Sequence, residues 1–72
     1  MTVNTSLYRR VLGREPNKKV RGYWFFAIGS TAAYNDITLA YETSSGLTYS
    51  EACKEAKAEA KRRGTDVIYV LP

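Results

Sequence analysis

The longest regular pattern of apolar positions lies in the last third of the chain. Tyr49, Ala52, Cys53, Ala56 and Ala60 recur at spacings of three and four and predict an amphipathic helix over residues 49–63. Thr48-Tyr49-Ser50-Glu51 reads as its capping box, with the Thr48 hydroxyl accepting from the Glu51 amide and the Glu51 carboxylate accepting from the Thr48 amide. Leu47 stands where a hydrophobic staple begins, and Gly64 supplies the left-handed residue that closes the last turn. Glu51, Glu55 and Glu59 precede Lys61, Arg62 and Arg63, the order the helix dipole favours. Because the stripe is mostly alanine, the helix can lie close on its neighbour, and the bulk of the core must come from the other side.

That bulk stands at period two in residues 20–28. Val20, Trp24, Phe26 and Ile28 fall on one face of a predicted strand, with Arg21, Tyr23 and Phe25 on the other. The first set suits a sheet face beneath an alanine helix. A second strand is predicted over 36–43, with Ile37, Leu39 and Tyr41 opposite Thr38, Ala40 and Glu42 and a hairpin loop at 29–35. Ser44-Ser45-Gly46 breaks the chain before the helix. Residues 66–71 form a final strand ended by Pro72, and 6–12 a first strand turning at 13–17. The expected architecture is one α+β domain spanning residues 1–72, in the order β-β-β-α-β. It is an antiparallel sheet of three to four strands with one helix on one face and the other face left to solvent or a partner. No repeat, linker or low-complexity stretch interrupts it.

Charge changes this picture from a plain small fold to one with an address. Residues 1–24 hold six bases against one acid, a balance of +5; residues 25–72 hold five bases against six acids, a balance of −1, and the net is +4. Such segregation creates a directed potential and points to an acidic partner. The candidate partner-binding residues are Arg9, Arg10, Arg14, Lys18, Lys19 and Arg21, with Tyr23 and Phe25 beside them. Two readings stand for the cluster, an electrostatic footprint or solvated strand ends. Two also stand for Tyr23 and Phe25: a stacking platform or protein anchor on the second face, or packing beneath the N-terminal segment or a dimer contact. Lys54, Lys57 and Lys61, interleaved with glutamates, read as a solvated face.

The chemistry the chain lacks narrows the classes further. Histidine is absent and cysteine occurs once, so common zinc sites and Ser-His-Asp or Cys-His catalysis have no residues to use. Neither GxxxxGK[ST] nor GxGxxG occurs. Cys53, at an interior helix position, reads as a small buried hydrophobe. No enzyme, cofactor, metal or small-molecule substrate is expected. The start, MTVNTSLYRR, has no apolar run typical of a leader or membrane span, and the lone cysteine suits a reducing compartment, so a cytoplasmic protein is expected.

Three resemblances add expectations. From Gly46 to Val70, the threonine cap, alanines every four residues, basic end, glycine and apolar strand resemble the tail of HicB-type antitoxins and similar βββαβ domains. From Arg21 to Gly64 the chain is similar to three-stranded DNA-binding domains of the integrase type, which implies arginine and aromatic side chains of a sheet entering a groove of DNA. In type, a tiny basic protein without an active site resembles phage-encoded regulators of host machinery, which implies binding to bacterial RNA polymerase and altered transcription. Two functions are thus expected: regulation by docking on a macromolecular machine, or direct nucleic-acid binding through the basic segment.

Overall fold

In a computed structural model describing residues 1–72, the alanine-rich segment forms α2, Tyr49–Arg62, with both halves of its capping box made. Thr48 Oγ1 accepts from the Glu51 amide at 3.3 Å and Glu51 Oε1 accepts from the Thr48 amide at 2.9 Å. Gly64 follows with φ of 77°, the left-handed conformation that ends the helix.

Beneath α2 lies a four-stranded sheet of β1 (Thr2–Asn4), β2 (Phe25–Ile28), β3 (Tyr41–Glu42) and β4 (Val67–Val70) in spatial order β1-β4-β2-β3. The β2–β3 and β2–β4 ladders are antiparallel, with Phe26 opposite Tyr41 and Val70. The β1–β4 ladder is parallel, with Val3 opposite Ile68. α2 connects β3 to β4 and packs on β2 and β4.

Period two in β2 and β4 directs Phe26, Ile68 and Val70 toward α2, and these three are wholly buried against Ala52, Ala56 and Ala60, equally inaccessible. Each large side chain so buried contributes about 1.5–3 kcal/mol. Trp24, Tyr8 and Cys53 complete this core, Trp24 meeting the Tyr49 ring at a centroid distance of 5.3 Å.

The expected first strand and the all-antiparallel sheet need correction. Residues 6–12 do not form a strand: Ser6–Leu12 is a helix, α1, and the sheet gains its fourth strand from Thr2–Asn4 instead. Asn4 Oδ1 accepts from the Ser6 amide at 2.9 Å at the start of α1. Gly13, at φ 71°, donates back to the Arg9 carbonyl at its end. The sheet is therefore mixed, and the order is β-α-β-β-α-β.

The second sheet face is covered as well. Asp36 Oδ1 accepts from both the Thr38 amide (3.1 Å) and the Thr38 hydroxyl (2.5 Å), so Ile37–Leu39 coils into a 3₁₀ turn and the strand expected over 36–43 shrinks to β3. With a second 3₁₀ turn at Ala32–Tyr34, this segment folds onto the sheet. Ala33 there joins Ala27 and Leu71 in a second buried cluster, bordered by Leu7, Phe25, Tyr34, Ala40 and Tyr69. The rings of Tyr34 and Tyr69 meet edge to face at 5.9 Å. One face open to solvent or a partner is thus replaced by two covered faces.

Candidate binding surfaces

At one end of the sheet the chain leaves apolar surface in the open. Tyr8, Val20, Gly22, Tyr23, Trp24, Phe25, Leu71 and Pro72 enclose a hollow of about 220 Å³, and Leu71 and Pro72 also border a second hollow with Leu7, Ala33, Tyr34 and Ile37. Val20, Tyr23 and Ile37 remain 50%, 63% and 65% exposed along this strip, and it is their grouping around shared hollows, not their single exposure, that marks a candidate contact surface. Val20 therefore does not join the core beneath α2. Strand β2 begins only at Phe25, so the alternation that placed Val20 with Trp24 does not extend back to it. Phe25 is half-buried against the second cluster, whereas Tyr23 projects outward. The two border the same hollow, Tyr23 at its exposed rim and Phe25 half-buried.

The six bases of the N-terminal segment are all exposed, yet they divide by partner. Arg9 pairs with Glu15 at 3.5 Å. Arg21 Nη1 donates to the Gly46 carbonyl at 3.1 Å and to Glu51 at 3.2 Å, tying the approach to β2 to the start of α2. Arg10, Arg14, Lys18 and Lys19 make no ion pair. Arg10 lies near the Tyr34 phenol, at the edge of the apolar strip, while burial holds that phenol's pKa above its usual value.

Lys18 joins a different surface. With Val3, Tyr49, Ser50, Cys53, Lys54 and Lys57 it lines a groove of about 380 Å³ between the β1 side of the sheet and α2. The lysines of α2, which the sequence presented as a solvated face, thus meet a base from the N-terminal segment. The acids of α2 stand on its other flank and are engaged there. Glu51 is held by Thr48 and Arg21, Glu55 accepts from the Ser44 amide and hydroxyl, and Glu59 binds Arg62 and Arg63.

Cys53 is buried, and burial pushes its thiol up, keeping it protonated and a poor nucleophile. Burial likewise raises the Tyr49 phenol, which stays a neutral hydroxyl. No three His, Cys, Asp or Glu side chains gather closely enough to hold a metal ion, and no helix is long and apolar enough to cross a membrane. No protein family, curated protein or solved structure matches the chain. Its own surfaces carry the functional reading.

Proposed function

We propose that this protein is a non-enzymatic regulatory domain that docks on an acidic, partly apolar segment of a larger macromolecular machine and alters its activity. The observation that carries this reading is the exposed Tyr23 ring beside Val20 on the rim of the hollow that reaches Leu71 and Pro72. An amphipathic ring over an apolar recess is the usual anchor of a protein interface, and charge at its edge sets partner choice and association rate. Arg10 near Tyr34, and Lys19 beside Val20 in the chain, supply that charge. The inward packing of Phe25 favours a protein partner over base stacking on a Tyr23/Phe25 platform.

Bacterial RNA polymerase is the first partner to test, on the resemblance of type to small phage regulators. Binding of the purified polymerase to the immobilised protein at about 0.15 M salt, where exposed charges beyond about 8 Å are screened, tests the assignment. Saturable binding supports it, and the absence of binding removes polymerase as the target.

A further inference from the structure

The groove between α2 and the β1 side of the sheet carries an inference independent of the docking surface. Lys18 and Lys57 come from distant parts of the chain, and with Lys54 they converge on one recess whose lining contains no acid. None of the three has an ion-pair partner. The remaining polar lining, the hydroxyls of Ser50 and Tyr49 and the protonated thiol of Cys53, is neutral; Tyr49 and Cys53 bond to each other, and the exposed Ser50 hydroxyl is able to donate. Glu15, whose charge reaches Tyr49, stands outside the lining and is paired with Arg9 at 3.5 Å. Like charges drawn together without a counter-charge repel one another, and an anion in the recess relieves that repulsion.

The shape of the charge indicates which anion. Lys54, Lys57 and Lys61 recur at spacings of three and four on a single flank of α2. At 1.5 Å per residue they form a row about 10 Å long, facing away from the glutamate flank; Lys54 and Lys57 line the groove and Lys61 extends the row outside its lining. Lys18 lines the same groove from the N-terminal segment. A linear array of ammonium groups, open along its length and without an exposed aromatic platform, matches a chain of evenly spaced phosphates more closely than a single compact anion. We propose that this groove binds the phosphodiester backbone of a nucleic-acid strand, without reading its bases. The protein then holds nucleic acid on the lysine flank of α2 while the apolar strip at the end of the sheet remains free for a protein.

Fluorescence anisotropy of a labelled oligothymidylate of about 15 nucleotides, titrated with the full chain between about 50 and 200 mM salt, tests this. Neutralising three to four phosphates of a single strand predicts a slope of log affinity against log salt of about −2 to −3. Lys54→Gln/Lys57→Gln keeps good helix formers at an exposed and a half-buried position and leaves the buried core untouched, so thermal unfolding should change little while affinity falls at least about tenfold and the slope flattens. Tyr23→Ala, on the docking surface, should leave strand affinity as it is. Amide resonances of Lys18, Ser50, Lys54 and Lys57 in the unaltered protein should shift on adding the strand, a readout that needs no variant. No binding at the lowest salt, equal affinity in the glutamine variant, or shifts elsewhere overturns the proposal. So does binding of tripolyphosphate in the groove without binding of the strand.

Discussion

The Trp24 indole donates to the Leu47 carbonyl at 3.0 Å, joining the segment that leads into β2 to the residue just before the cap of α2. The same carbonyl accepts from the Gly22 amide at 3.0 Å, and the Trp24 amide donates to the buried Thr43 hydroxyl, also at 3.0 Å. The aromatic segment, the end of β3 and the entry to α2 are thus locked together around one side chain.

Trp24→Phe should therefore destabilise the fold by about 1–3 kcal/mol, since it deletes the indole donor and leaves a gap beside Tyr49. The midpoint of chemical denaturation, followed by far-UV circular dichroism, checks this. An unchanged midpoint would mean that the indole bond contributes nothing net.

Ala56 is wholly buried between α2 and the sheet, whereas Ala58 on the same helix is exposed. Ala56→Leu should cost about 1–3 kcal/mol by overpacking that contact, and Ala58→Leu should change stability by less than about 0.5 kcal/mol. Comparing the two melting curves separates packing from helix propensity, because the substitution is the same.

Thr48→Ala removes the hydroxyl that accepts from the Glu51 amide and should cost about 1 kcal/mol. Thr48→Ser, which can still accept, should restore most of the loss in the same denaturation measurement.

Acid should weaken the fold through two carboxylates. Bonds from Thr48, the backbone amide foremost, hold Glu51 below the usual carboxylate pKa, and the Arg62 and Arg63 side chains do the same for Glu59. A carboxylate depressed in the folded state adds stability that is complete above its ordinary value of 4.5 and is lost as pH falls through the lowered folded value. The melting temperature should fall on acidification below that range, and Glu51→Gln/Glu59→Gln should flatten the fall. A double variant with the full acid dependence would place its origin elsewhere.

The parts of the fold most legible in the sequence were those written by short-range chemistry. The capping box, the alanine stripe and Gly64 fixed α2, and the apolar run near the C-terminus marked β4. Residues 6–12 misled because Leu7, Tyr8, Val11 and Leu12 fit a helical face as well as a short strand, while the deciding signals, Asn4 before and Gly13 after, lie outside the run. β1 is three residues long and its ladder partner is more than sixty positions away, so nothing local announced it. The 36–43 strand gave way to a side-chain bond from Asp36 that competes with a ladder. Of the candidate site, the basic residues and Tyr23 were visible as charge and aromaticity. Val20, Leu71 and Pro72 on one strip, and Lys18 in one groove with Lys54 and Lys57, depend on tertiary placement that period two and period 3.6 do not encode.

We propose that a protein partner docks on the exposed strip around Tyr23. This is tested most directly by the affinity of purified bacterial RNA polymerase for Val20→Ser/Tyr23→Ala relative to the unaltered chain. Both side chains are exposed, so thermal unfolding should move little. Loss of an aromatic anchor should raise the dissociation constant at least about tenfold, as expected for a hot spot of about 2 kcal/mol. An unchanged dissociation constant in a folded double variant would contradict the account.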